Sequence, residues 1–154
     1  MKQEMFELNI STKGQGCYEA TRTIDNWLAN ADCGNGLLTV FVRHTSASLT
    51  IQENADTDVQ FDLTDALDQL APQSSRYRHS CEGPDDMPAH IKSAITSTCL
   101  TIPVLQGQMS LGTWQGVYLL EHRDAPHKRK LVLHFMGESL TEHDCRNEAF
   151  GFSR

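Results

Sequence analysis

The sequence predicts a single α+β domain built on an antiparallel sheet. Three observations carry this: six stretches read as strands from apolar alternation or strand-like composition, two stretches have apolar residues at helical spacing and a third has Pro at a helix start, and hairpin-length turns connect the later strands. No internal repeat and no Gly/Ser linker divides the 154 residues.

Phe6 to Thr12 is strand-like, and Lys13-Gly14-Gln15-Gly16 reads as a turn. Thr21 is the expected N-cap of a helix whose apolar face is Ile24, Trp27, Leu28 and Ala31, and Gly34-Asn35-Gly36 is expected to end that unit. Leu37 to Arg43 and Ser48 to Glu53 follow as strands. A second helix is expected from Asp56 to Leu70, with the stripe Val59, Leu63, Ala66, Leu67, Leu70, an acidic first turn, and Pro72 as its stop. Residues 73–87 read as loop, and Pro88 to Ser97 as a short helix. Leu100–Val104, Gln115–His122 and Lys130–Met136 complete the strands, with turns at 105–108 and 124–127. The domain is expected to span 1–137, and residues 138–154 to form a loosely attached C-terminal extension.

A chain of this length buries about 68–70% of its unfolded surface without disulfide or metal staples. Thirteen Lys and Arg against twenty Asp and Glu leave a formal net charge of −7, with no basic run. That balance argues against nucleic acid and against an anionic membrane surface as partners. Five cysteines, odd in number and never spaced Cys-x-x-Cys, argue against a disulfide framework and a zinc ribbon. The first seven residues carry acids where a signal peptide needs an apolar stretch, so a cytoplasmic location is expected.

Chemistry is expected in three blocks. The first is His44-Thr45-Ser46-Ala47-Ser48-Leu49-Thr50-Ile51-Gln52-Glu53-Asn54. Period-two alternation puts His44 on the face of Leu38, Val40 and Val42, and Glu53 on that of Leu49 and Ile51. Desolvation there would lower the histidine pKa and raise the glutamate pKa, a common arrangement for an acid/base pair; the bland reading is two polar residues at a sheet rim. The second block runs from Tyr77 to Lys92. His79 and His90 with intervening carboxylates suit a divalent ion such as zinc or magnesium, although the spacing matches no zinc motif. Asp85 and Asp86 as helix caps beside ordinary loop histidines is the alternative. Lys92 beside a helix N-terminus also makes an anion site.

The third block runs from Gly107 to Glu121, with three glycines in ten residues beside Trp114. Close backbone approach to a ligand or another chain is one reading, and a glycine bulge with a core Trp is the other. Gln115 and Glu121 share the face of Val117 and Leu119, which makes both candidates for buried polar groups. His134 is expected on a strand face. His122, His127 and His143 are expected in solvated loop or tail. Gly14-Gln15-Gly16 lacks the remainder of a dinucleotide fingerprint, and no Gly-x-Ser-x-Gly elbow occurs.

Taken together the blocks resemble the YjbQ family. The residues that carry the likeness are Gly36-Leu37 through His44-Thr45-Ser46-Ala47-Ser48-Leu49 to Glu53-Asn54-Ala55-Asp56; Tyr77 and His79; Gly83 to Lys92, above all Ala89-His90-Ile91-Lys92; and Ile102-Pro103-Val104, Gly107 and Leu111-Gly112-Thr113-Trp114-Gln115 running to Glu121. The resemblance spans about residues 5 to 137. It implies an α+β sandwich of antiparallel or mixed sheets, a homotrimer, and a weak thiamine-phosphate synthase activity. The family often follows the glutamate matching Glu121 with an aromatic-Asp-Gly-Pro-Arg turn, whereas this chain has His122 to Arg129, leaving Arg129 as the stand-in.

That activity joins a pyrimidine diphosphate to a thiazole phosphate and releases pyrophosphate, so it requires a polyanion site and a divalent ion to neutralise leaving-group charge. Thr45, Ser46, Ser48, Asn54 and Lys92 are then expected to hold phosphate, and His79, His90 and His44 the metal. His44, Glu53, His90 and Gln115 are expected at the reacting centre. The competing readings are a trimeric metal- or phosphate-binding module without catalysis, and a metal-dependent hydrolase of a phosphorylated metabolite.

Overall fold

The computed structural model describes residues 1–140. Its elements in order are β1 (Lys2–Ser11), β2 (Gly16–Glu19), α1 (Thr21–Asn30), β3 (Cys33–Val42), β4 (Ala47–Glu53), α2 (Thr57–Leu70), α3 (Asp86–Ile95), β5 (Cys99–Leu105), β6 (Gln108–Met109), β7 (Gln115–Glu121) and β8 (Lys128–Ser139). The strands form two sheets, ordered β1-β8-β3-β5-β6 and β2-β7-β4. Every neighbouring pair is antiparallel.

Alternation explains how the sheets meet. Leu38, Val40 and Val42 on β3 and Leu131, Leu133 and Phe135 on β8 are all buried, and so are Leu49 on β4 and Val117 and Leu119 on β7. They form one apolar core with Ile24 and Leu28, the buried face of α1. On the opposite face of the larger sheet, Leu37, Phe41 and Met136 are exposed. The α+β antiparallel sandwich expected from the sequence is the observed fold.

Several elements differ in detail. β2 is a strand paired with β7, where only a turn is expected nearby from the sequence. Ala20, with no side-chain cap, precedes α1; Thr21 is the first helical residue, and its hydroxyl accepts from Val117 N–H at 2.9 Å. Gly34 to Gly36 lie inside β3, with a register shift between Cys33 and Gly36. Gly36 sits opposite Gly137 on β8, and a Cβ on Gly36 would come within 2.7 Å of the Gly137 Cα, so close strand approach explains the pair.

Asp56 caps α2 by accepting from Asp58 N–H at 2.9 Å. No residue of α2 is buried, however; Val59, Leu63 and Leu67 are half-buried, and Phe61 and Leu70 are about two-thirds exposed. α3 begins at Asp86, two residues before Pro88, and is as long as α1. Trp114 is not a core residue: it is 65% exposed. β8 runs to Ser139, past the expected domain boundary, and the extension from 141 onward lies outside the described residues, with His143 and Cys145. The four described cysteines are free thiols. No helix among the described residues is long and apolar enough to cross a membrane.

Candidate functional site

Asp86 opens α3, and four residues later His90 stands on the same face of the helix, the spacing at which helical side chains meet. His79 reaches the pair from the preceding loop. Its Nε2 lies 2.7 Å from Asp86 Oδ2, and His90 Nε2 lies 3.3 Å from the same oxygen. One ligand atom from each of the three residues falls within 4.8 Å of the other two. Among the described residues this is the one group of three or more such side chains that converges.

The surroundings fix the orientation of these groups. His90 Nδ1 is 3.0 Å from the Thr45 carbonyl. A carbonyl only accepts, so Nδ1 carries a proton and donates, and in the neutral ring Nε2 is then the lone-pair nitrogen facing Asp86. Asp86 is buried, and its other oxygen, Oδ1, is held by Arg123 Nη1. Arg123 also donates through Nε to Asp85 Oδ2 at 2.8 Å and through Nη2 to the Glu82 carbonyl at 2.8 Å. Burial works against ionisation of Asp85, but the bonds from Arg123 and from Asp124 N–H outweigh it and hold the carboxyl below its usual range. Arg123 N–H in turn donates to Glu121 Oε1 at 3.0 Å. Glu121 is fully buried against Arg129 and accepts from Thr12 Oγ1 at 2.9 Å. These bonds outweigh the desolvation of Glu121 and keep it ionised below the usual carboxylate range.

His44 stands apart from the converging atoms. Its Nε2 accepts from Lys130 N–H at 2.8 Å, which places the ring proton on Nδ1. Desolvation, then the nearby Arg129 charge, lower its pKa below the ordinary histidine value. It lines a cavity of about 590 Å³ with Phe41, Arg43, Thr45 and Ser46. Thr45 is exposed, whereas Ser46 and Ser48 are buried. Ser48 Oγ is bonded to His122 Nε2 at 2.8 Å and to Thr96 Oγ1 at 2.7 Å. Lys92 is 1% exposed and ion-paired with Asp68, which also accepts from Gln15 at 2.8 Å.

Glu53, Asn54 and Gln115 lie elsewhere. β4 pairs with β7 so that Ala47 faces Glu121 at one end and Glu53 faces Gln115 at the other. Six residues of strand separate the ends, roughly 20 Å. Gln115 is exposed rather than buried, with Oε1 accepting from Gly112 N–H at 2.8 Å. Asn54 Nδ2 donates to the Gln115 carbonyl at 3.3 Å. A single chain therefore brings His79 and His90 together and does not bring Glu53 or Gln115 to them.

Sequence reasoning misses two participants. It counts Asp86 among the carboxylates between the two histidines, or as a cap, without singling it out as a ligand, although the i,i+4 relation to His90 is legible. Arg123 has no sequence signal, because its partners lie 37 to 41 positions away. His122 is a correction of a different kind: it is 3% exposed rather than solvated. Burial, then the charge of Lys92, push its pKa down to about 4.

The family model described as UPF0047 protein, YjbQ-like, matches residues 6–138. The chain belongs to the YjbQ/UPF0047 family. A UPF0047 protein of Synechocystis is 51% identical over 138 residues, which cover 89% of this chain and 94% of that protein. The UPF0047 protein YjbQ of Escherichia coli O157:H7 is 42% identical over 85% of this chain and 96% of its own length. Among solved structures, a YjbQ/UPF0047 protein of Clostridium acetobutylicum superposes with a TM-score of 0.79 at 32% identity, covering 85% of this chain and 99% of that one. A conserved protein of Thermus thermophilus gives 0.77 at 34% identity, covering 85% of this chain and 99% of its own.

Proposed function

We propose that this YjbQ-family chain binds a divalent metal ion on His79, Asp86 and His90 and acts there on a phosphorylated small molecule, with thiamine-phosphate synthesis as the reaction implied by the family resemblance. The observation that supports the metal is the relation of His90 to Asp86. In its neutral form, with the proton on Nδ1, the ring turns an acceptor, Nε2, toward Asp86 Oδ2 at 3.3 Å, the same oxygen that lies 2.7 Å from His79 Nε2. Two acceptors at that separation repel, and a cation between them removes the repulsion; a second proton on the ring is the competing solution.

The donor set fits the group. Two imidazole nitrogens and one carboxylate oxygen suit zinc and its neighbours better than magnesium, which favours oxygen ligands. The bonds that orient them are present too, in the Thr45 carbonyl behind His90 and Arg123 behind Asp86. When bound, such an ion supplies Lewis-acid stabilisation of charge on phosphoryl oxygens. Arg123 keeps Oδ2 turned toward the histidines by occupying Oδ1. Of the hydroxyls first expected to hold phosphate, Thr45 alone is exposed, and Lys92 is committed to Asp68. Assembly as a homotrimer belongs to the same proposal. The unburied α2, with Phe61 and Leu70, and the exposed Trp114 support an apolar contact between copies.

Zinc affinity, measured by competition with a chromophoric chelator, tests the site. The wild type is expected to bind one ion per chain. His90→Ala and Asp86→Asn are expected to weaken binding by about 100-fold, and Arg123→Gln, which removes only the orienting bond, by roughly 10–100-fold. Thiamine phosphate formation from the two phosphorylated precursors is expected to follow metal occupancy across this series. Wild-type affinity in His90→Ala and Asp86→Asn would overturn the metal site, and equal turnover in chelator would overturn the metal dependence.

A further inference from the structure

We infer that the cavity beside His79 is an anion subsite, built to take the phosphoryl or pyrophosphoryl end of the substrate. The inference rests on the metal-site reading in one respect, since His79 belongs to both. The cavity has a volume of about 380 Å³, within the range of small-molecule sites, and its polar lining is Gln73, Ser75, Arg76, Tyr77, His79 and Ser80. In a chain of net charge −7, no carboxylate lines it.

The donors fall into two sets. Tyr77 and Gln73 are framework: the phenol donates to the Pro72 carbonyl at 3.0 Å, and the amide donates to Asp124 Oδ2 at 3.0 Å. Ser75 N–H donates to the Pro72 carbonyl at 3.2 Å, and Arg123 grips the loop further on at the Glu82 carbonyl. The second set is Ser75 Oγ, Arg76 and Ser80 Oγ. None of these three side chains has a hydrogen-bond or ion-pair partner among the described residues. The bonds at the Ser75 N–H and the Glu82 carbonyl fix the backbone that carries this guanidinium and the two hydroxyls, all on exposed residues, before a ligand arrives.

Charge decides what the ligand is. A guanidinium is matched by planar pairs of oxygens on phosphate or pyrophosphate, and hydroxyl donors complete the oxygens it leaves. Of the carboxylates bonded to or near the lining, Asp85 and Asp86 are ion-paired with Arg123, and Asp124 accepts from Gln73. The cavity wall formed by His79 puts the anion next to the proposed metal ligands.

Calorimetric titration of inorganic pyrophosphate into the full chain tests this, once in chelator and once with one equivalent of zinc. Arg76→Gln is expected to weaken pyrophosphate at least tenfold in both conditions, and Ser80→Ala by a smaller factor, while zinc affinity stays at the wild-type value. Thermal melting of each variant checks that it is folded. Equal pyrophosphate affinity in the wild type and Arg76→Gln, or no binding by the wild type at millimolar ligand, overturns the subsite. The chelator arm keeps the two ideas separate: loss of the metal site would appear as absent zinc binding, with the Arg76 comparison still readable.

Discussion

His122 sits on the chain just past β7, with Nε2 bonded to Ser48 and its ring closed off from water. Folding favours its neutral form, with a pKa of about 4 against an ordinary 6.5, so the unfolded chain is the better base. The associated stability is present in full above pH 6.5 and is lost as the pH falls from there toward 4. The shift corresponds to about 2 kcal/mol lost between pH 7 and pH 5. His44, also lowered, drains stability in the same direction, whereas Glu121 and Asp85, with depressed carboxyl pKa values, begin to do so only below about 4.5. Urea midpoints for the wild type and His122→Gln at the two pH values check the assignment. The variant is expected to show the smaller drop, and an unchanged drop would mean that another group carries the acid sensitivity.

The helices differ in what holds them. α1 buries Ile24 and Leu28 completely in the core, so Leu28→Ala is expected to cost about 2–5 kcal/mol in chemical denaturation. α2 buries no residue, and its stability as an element depends more on its N-cap; Asp56→Ala is expected to cost about 1 kcal/mol. If Asp56→Ala proved as damaging as Leu28→Ala, α2 would be packed more firmly than its exposure indicates. The same contrast explains what is legible in the sequence. The strands are read from alternation, and Leu38, Val40 and Val42 are buried as that reading requires. β2 is invisible because Gly16 to Glu19 is four residues long and is a strand only through its pairing with β7. Gly34 and Gly36 look like a terminus because glycine marks both helix ends and close strand approach, and only β8 distinguishes the two.

At the scale of the molecule, the residues expected at one centre divide between two ends of the small sheet, with His79, Asp86 and His90 beyond one and Glu53 and Gln115 at the other. The proposed homotrimer bears on this division because Trp114, beside Gln115 at the second end, is exposed, as are Phe61 and Leu70 on α2. Sedimentation equilibrium is expected to give three times the chain mass of 17.2 kDa. Phe61→Glu is expected to shift the equilibrium toward the single chain while leaving its helical signal intact; a wild-type monomer at micromolar concentration would rule the trimer out.

The sequence by itself determined the α+β class, most of the strands and helices, and the family, because periodicity and local motifs are written in neighbouring residues. It also marked His79 and His90 as metal-ligand candidates. Only the tertiary structure decided which polar residues meet. Arg123 reaches Asp86 across 37 positions, Lys92 is ion-paired with Asp68 on another helix, and His122 is buried with Nε2 bonded to Ser48 on β4. Such pairings arise from the register of strands and the docking of helices, and the electrostatic environment of a side chain is set by whatever those contacts bring within a few ångströms.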